Sequence, residues 1–294
     1  MTSNGTSSAK VWLVCNAASG SNNDAAVEEL LAAFEAAGLG PDRVLRFPDD
    51  PAPQPADLDA AGVDMLAVFG GDGTTHSVVM EAYGWGGAVL VLPGGTMNLL
   101  AKRMHGDVPA PEIVARLSGA ALSTVRPPVI VSRHGIGLTG ALAGPGTVWN
   151  EVREAMRAMN VIDFVASTRE AIAQSANGPK VVCAEVGSTE VDGGREEGYA
   201  AITVVPKDDG LRANGYYAES LGDYAGQGIA LLNRNFRDGP HDELGRHPRL
   251  RLVCPTGEPM GLLIDGEPFD GAAEEIFELG TCEVDLVTTK EFDG

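Results

Sequence analysis

The sequence predicts an α/β domain built on a parallel sheet, followed by a β-rich domain that carries a helical insertion. Three observations lead there. Over roughly the first 120 residues, short apolar runs alternate with helical stretches, the pattern of strands covered on both faces. The rhythm changes at Pro127-Pro128, beyond which most runs read as strands. Two glycine pairs, Gly70-Gly71 and Gly94-Gly95, close apolar runs about one βαβ unit apart.

Each element has its own warrant. VWLVC, Val11 to Cys15, is a short buried strand followed by the loop NAASGSNN. Asp24 to Ala37 is rich in alanine and leucine at helical spacing, and Gly38 is its stop. RVLRF, DMLAVF (Asp64 to Phe69) and AVLVL (Ala88 to Leu92) are three more strands. Between the last two, Thr74 to Tyr83 places Val78, Val79 and Ala82 at helical intervals. Leu99 to Met104 and Pro111 to Leu117 are further helices. Beyond the boundary the strands are PVIVS, KVVCAEV, YAAITVV, RLRLVC, GLLID and EVDLVTT, interrupted by a helical stretch from Val148 to about Ala173. The expected domains are residues 1–126, the α/β domain, and 127–294, the β-rich domain, the last ten or so residues being compatible with either sheet.

Composition narrows the function. A chain of 294 residues is comfortable for two domains. It carries 41 acidic and 21 basic residues, a formal charge of -20, so no global field draws it to nucleic acid or to anionic lipid. Phosphate chemistry here must rest on local N–H groups, a few cations or a metal. Cys15, Cys183, Cys254 and Cys282 form no C-x-x-C pair, and read as buried free thiols of a reducing compartment. VWLVC is too short for a signal peptide or a membrane span, which points to the cytoplasm.

In an open parallel sheet, loops at the carboxyl ends of the strands share one edge, where ligands bind. A right-handed crossover puts Gly70-Gly71 and Gly94-Gly95 on that edge together. Glycine lets backbone N–H groups approach a ligand, and each loop opens a helix whose N-terminus favours anions. Thr74, Thr75 and Thr96 add hydroxyls. Asp72, in the first loop, would repel a bare phosphate but suits a Mg²⁺-phosphate or a hydroxyl that must lose its proton. Asp72-Gly73 is disfavoured as a hairpin turn because a helical pattern follows it, whereas IDGEPF, Ile264 to Phe269, reads at least as readily as a hairpin. GIGLTG, Gly135 to Gly140, satisfies G-x-G-x-x-G, but no helix follows at once, so it reads as a turn.

Four motifs, NAASG (Asn16 to Gly20), GGDGT (Gly70 to Thr74), PGGTMN (Pro93 to Asn98) and IDGEP (Ile264 to Pro268), together resemble the diacylglycerol kinase catalytic family, which includes bacterial lipid kinases and sphingosine kinases. GGDGT alone is shared with NAD kinases and resembles a phosphofructokinase loop. The resemblance implies a Rossmann-like α/β nucleotide domain of the NAD kinase and phosphofructokinase kind, then a β-sandwich, with the active site between them. It implies ATP as donor, Mg²⁺ as cofactor, and a lipid or other small hydroxyl-bearing molecule as acceptor. Transient membrane contact and no nucleic-acid partner are expected, with monomer and homodimer both open. By resemblance Asn16, Ser19 and Gly20 line the ATP site. Gly70, Gly71, Asp72, Gly73 and Thr74 wrap the phosphates, and Gly94, Gly95, Thr96 and Asn98 complete the pocket. Lys102, four residues after Asn98, could reach a phosphate. Glu267 would be the general base, with Asp265 supporting it or holding magnesium. In the sphingosine-kinase branch the residue matching Asp72 has been given the base role, so the assignment among the three carboxylates stays open.

The chain departs from that family in places. Asn98 is followed by Leu99 where many lipid kinases have Asp, and His76-Ser77 replaces an Asn-Glu pair. Asp223 is the nearest match to a secondary magnesium segment. Trp149, Met156, Met159 and Phe164 would form either an acceptor wall or plain packing. The rival readings are an NAD kinase, towards which Asn150-Glu151 points, and a regulatory nucleotide-binding protein without turnover.

Overall fold

In the computed structural model, residues 9–16, 23–119, 122–145, 180–185, 198–216 and 241–291 are described. The chain divides into two compact units, Met1–Pro127 with Thr281–Gly294, and Pro128–Gly280.

The first unit is built on strands Val11–Cys15 (β1), Arg43–Arg46 (β2), Met65–Gly70 (β3), Ala88–Pro93 (β4) and Ser123–Val125 (β5), and on helices Asp24–Ala36 (α1), Pro55–Ala61 (α2), Asp72–Glu81 (α3), Leu99–His105 (α4) and Ala110–Arg116 (α5). Its sheet has the order β2-β1-β3-β4, then Asp285–Thr288 (β17, the last strand of the chain), then β5. All neighbours are parallel except β17 and β5. The central strands are apolar along their length because both faces are covered. Val11, Leu13, Met65, Ala67, Leu90 and Leu92 share a core with Val27, Leu30 and Phe34 of α1 and with Ile113 and Val114 of α5. Trp12, Val14, Leu66, Val68, Val89 and Val91 alternate with them and are buried as well. Each large side chain so placed contributes about 1.5–3 kcal/mol of transfer free energy.

Local signals set the helix ends. Asn23 caps α1 by accepting from the Ala26 N–H at 2.9 Å, and Gly38 leaves it with φ of 71°. Helix α2 is not among the elements expected from the pattern, and DDPAPQPAD, where it begins, has the composition of a loop. Pro55 nevertheless sits at its first position and Gly62 ends it with φ of 65°, the usual asymmetry of proline at the start and glycine past the end. EVDLVTT supplies β17, which leaves the β-rich half and pairs with β4 in the first sheet.

The second unit holds Pro128–Ser132 (β6), Gly135–Gly137 (β7), Ala141–Pro145 (β8), Val182–Glu185 (β9), Ala201–Lys207 (β10), Gly210–Tyr216 (β11), His241–His247 (β12), Arg249–Val253 (β13), Met260–Ile264 (β14), Glu267–Asp270 (β15) and Glu274–Thr281 (β16). They make two sheets, β12-β11-β10-β8-β14-β15 and β7-β6-β16-β13-β9. Both line one core, in which Val204 and Leu262 of the first meet Ile130, Leu250, Leu252 and Phe277 of the second. The helical stretch expected from Val148 to about Ala173 lies outside the described residues, as do Asn150, Glu151 and Asp223. All four cysteines are buried and none is in a disulfide.

Candidate active site

Strand order explains where a ligand site can form in the first unit. From adjacent strands β1 and β3, the chain proceeds through α1 to β2 in one direction and through α3 to β4 in the other. The loops that leave β1 and β3 therefore part at the carboxyl edge of the sheet, the place where such sheets bind ligands. Asn16 spans the split. Its backbone N–H donates to the Phe69 carbonyl at 3.1 Å, and its Nδ2 donates to Thr74 Oγ1 at 2.8 Å. Beside it, burial pushes the Cys15 thiol up to about 11, with Arg46 offsetting only part of that, so Cys15 is a packing group and not a nucleophile. Ser19 and Gly20 lie outside the described residues.

The two glycine loops lie against each other. The Gly94 N–H donates to the Gly70 carbonyl at 3.0 Å, carrying the β3–β4 pairing into the loops. A Cβ on Gly95 would lie 2.5 Å from Gly71 Cα, and one on Gly70 would lie 2.8 Å from Thr74 Cβ. These glycines are required by close approach, since neither has a positive φ. Gly71 is the N-cap of α3, and Thr75 N–H to Gly71 carbonyl at 2.9 Å closes its first turn. The earlier N–H groups of that turn have no partner within the helix, which leaves a donor-rich, partially positive end.

Asp72 joins the loops. Its Oδ2 accepts from the Asn98 N–H at 2.9 Å and its Oδ1 from the Leu99 N–H at 2.6 Å, so it satisfies the opening donors of α4 from across the gap. Asn98 closes the second loop on itself. It stands at φ of 53° and ψ of 45°, its Oδ1 accepts from the Gly95 N–H at 2.7 Å, and its Nδ2 donates to the Gly95 carbonyl at 2.8 Å. Gly73 and Thr96 are exposed at the loop tips, Thr74 and Thr75 are buried, and His76 is half-buried. Lys102 Nζ is 3.6 Å from Asp107, which lies just past the end of α4.

Asp265 and Glu267 belong to the second unit. Ile264 faces Glu267 across β14 and β15, and the two residues between them, Asp265 and Gly266, have φ of 51° and 83°. This is a hairpin turn with both central residues left-handed. The Asp265 carboxylate is buried and reaches into GIGLTG. It accepts from the N–H groups of Leu138 and Thr139 at 2.7 Å each, from Thr139 Oγ1 at 2.7 Å and from the Gly140 N–H at 3.3 Å. The glycine motif thus forms an anion nest for the protein's own aspartate. Glu267 is half-buried on β15, an edge strand. Among the described residues no three His, Cys, Asp or Glu side chains gather as metal ligands.

Residues 10–127 match the family model of the diacylglycerol kinase catalytic domain. NAASG, GGDGT and PGGTMN lie inside that stretch and IDGEP beyond it. Two solved structures from Bacillus anthracis strain Sterne, each provisionally named a diacylglycerol kinase, are similar in fold. One has a TM-score of 0.64 at 18% identity over 98% of both chains, and the other 0.62 at 18% identity over 95% of this chain and 97% of that one. A third from the same strain, named a diacylglycerol kinase, has a TM-score of 0.60 at 15% identity, over 95% of this chain and 96% of its own. No curated protein gives a significant match.

Proposed function

We propose, from the premise that residues 10–127 belong to the diacylglycerol kinase catalytic family, that this chain is a lipid kinase moving the γ-phosphate of ATP to a hydroxyl of a diacylglycerol- or sphingoid-like lipid. The family's catalytic domain is that of a kinase acting on an alcohol. The observation that best supports ATP as donor is the interlocked loop pair, with Gly95 against Gly71 and Asp72 bonded to Asn98 and Leu99. Such a frame presents backbone donors at a helix N-terminus to phosphate oxygens, at no reorganisation cost during reaction. It also accounts for an aspartate beside phosphates. Two N–H dipoles already face the carboxylate, so its charge does not stand bare in the loop.

Magnesium suits this arrangement, because it is commonly held by one or two carboxylates together with substrate phosphates and water. Asp72 is the carboxylate that would share it, and the ion would offset phosphate charge. Asp265 does not suit that role, since its carboxylate is buried among the Leu138, Thr139 and Gly140 donors whereas Asp72, itself bonded to two N–H groups, is only half-buried, and we assign Asp265 to support of the hairpin. In the reaction the acceptor hydroxyl gives its proton to Glu267. Its oxygen forms the new P–O bond as the bond from the γ-phosphorus to the β–γ bridging oxygen breaks, releasing ADP.

Labelled ATP offered with diacylglycerol, long-chain bases, NAD and a lipid extract tests this reading. We expect transfer to a lipid, and a fall in kcat of about 10²- to 10⁴-fold in Glu267→Gln with nucleotide affinity kept. Transfer to NAD would support the NAD kinase reading. ATP binding with no transfer to any acceptor would support a regulatory protein.

A further inference from the structure

We propose that Glu275 is a positioning residue for phosphotransfer, holding the strand of Glu267 by its far end as Asp265 holds it by its turn. The proposal rests on the reading of Glu267 as the base.

Glu275 stands next to Ile276 and Phe277 on β16 with a side chain 0% exposed. Alternation along a sandwich strand calls for an apolar residue there, and a buried carboxylate is costly unless every oxygen is served. Glu275 has neighbours at both oxygens. Oε1 accepts from the Ala272 N–H at 2.6 Å and from the guanidinium of Arg133, and Oε2 lies 3.3 Å from His134 Nε2. That ring nitrogen is also 3.2 Å from Arg133 Nε, so it either accepts from arginine or donates to glutamate. Both arrangements keep Arg133, His134 and Glu275 together.

The cluster grips β15 in two ways. The His134 ring packs on Phe269 with centroids 5.4 Å apart and planes at 49°. Phe269 is two residues from Glu267 and therefore on the same face of the strand. Ala272, held by Glu275, lies in the segment that leaves β15, where Met260 N–H donates to the Ala272 carbonyl at 3.2 Å and Gly271 N–H to the Met260 carbonyl at 3.0 Å. Strand β15 is four residues long and, among the described residues, pairs on one side only. A short edge strand of that kind frays readily, and a base needs placement within about half an ångström. A leucine at position 275 would satisfy packing alone. The carboxylate adds a connection between Arg133-His134 and the strand that carries the base.

The test uses the full chain with Glu275→Leu, Glu275→Gln and Phe269→Leu, and reads amide hydrogen exchange of residues 264–270 together with kcat and the KM for ATP. Dioleoylglycerol in detergent micelles is the first acceptor, then whichever lipid the phosphotransfer screen identifies. In Glu275→Leu we expect exchange at 267–270 to rise at least tenfold and kcat to fall at least tenfold, with the KM for ATP within twofold. Glu275→Gln, which keeps an acceptor for Ala272, should fall between wild type and Glu275→Leu, and Phe269→Leu should reproduce part of the effect. Unchanged exchange at 267–270 overturns the proposal. So does unchanged kcat in Glu275→Leu when Glu267→Gln abolishes turnover. If Glu267→Gln is itself fully active, the base reading fails, and exchange still decides the clamp. Should Glu275→Leu not fold, His134→Gln and Arg133→Gln, which alter the more exposed partners, are judged by the same readouts.

Discussion

Two of the chain's Asp-Gly pairs, Asp72-Gly73 and Asp265-Gly266, have opposite outcomes. The first begins α3, and its carboxylate ties down the loop before α4. The second is a hairpin turn with both φ positive, and its carboxylate is buried in a nest of N–H groups. This difference predicts different responses to substitution. Asparagine tolerates the left-handed turn but exchanges one acceptor for a donor, so Asp265→Asn should cost about 1–3 kcal/mol. Asp265→Ala loses every acceptor and is strained at φ of 51°, so it should cost more. Urea unfolding midpoints check the order, and equal midpoints would remove the nest from the account. Gly95→Ala tests the loop contact. Its methyl has to displace Gly71 Cα from 2.5 Å, and backbone there cannot yield without opening the loops. We expect nucleotide affinity to fall at least tenfold and stability by about 1–3 kcal/mol, measured by titration calorimetry and thermal unfolding.

At the scale of elements, the last strand matters more than its position in the chain suggests. β17 lies between β4 and β5, and among the described residues β5 has no other neighbour in the sheet. Thr288 Oγ1 donates to the Met104 carbonyl at 2.8 Å, tying β17 to α4, the helix whose start Asp72 holds. A fragment of residues 1–127 spans the whole stretch matched by the family model yet lacks this strand. It would leave the flank of β4 open and β5 unpaired, an invitation to edge-to-edge association. Such a fragment should aggregate or unfold without a cooperative transition, and covalent addition of residues 281–294 should restore one. A fragment that unfolds cooperatively at the midpoint of the full chain would show that β17 is dispensable.

For the molecule as a whole, acid is the informative stress. His105 at the end of α4 is 1% exposed, with Nδ1 3.0 Å from Thr289 Oγ1. Burial, aided by Arg116 and Lys290, pushes its pKa down to about 4 from the usual 6.5. The unfolded chain therefore takes up this proton first. Stability is unaffected above pH 6.5, declines as pH falls towards 4, and by then has lost about 3 kcal/mol through this one group. His105→Asn should flatten the decline between pH 6.5 and 4, as followed by thermal unfolding across that range. An unchanged slope would place the acid sensitivity elsewhere. The formal charge of -20 adds mutual repulsion that salt screens, so the comparison belongs at fixed ionic strength. Among the described residues no helix is long and apolar enough to cross a membrane.

Residue pattern by itself determined the strands of the first sheet, because Val11–Cys15, Met65–Gly70 and Ala88–Pro93 are apolar on both faces and can only be central. It also determined the pairing of the two glycine loops on one edge, since a right-handed crossover leaves no other arrangement. It could not show α2, a seven-residue helix in a proline-rich stretch, or the polar edge strand β12, because short and edge elements carry little periodicity. Tertiary structure alone decided that β17 joins β4, that GIGLTG receives Asp265, and that Glu275 is met by Arg133 and His134. Those contacts link residues 125 to 197 positions apart. No local pattern encodes them, because a carboxylate's use depends on which N–H groups the fold brings to it.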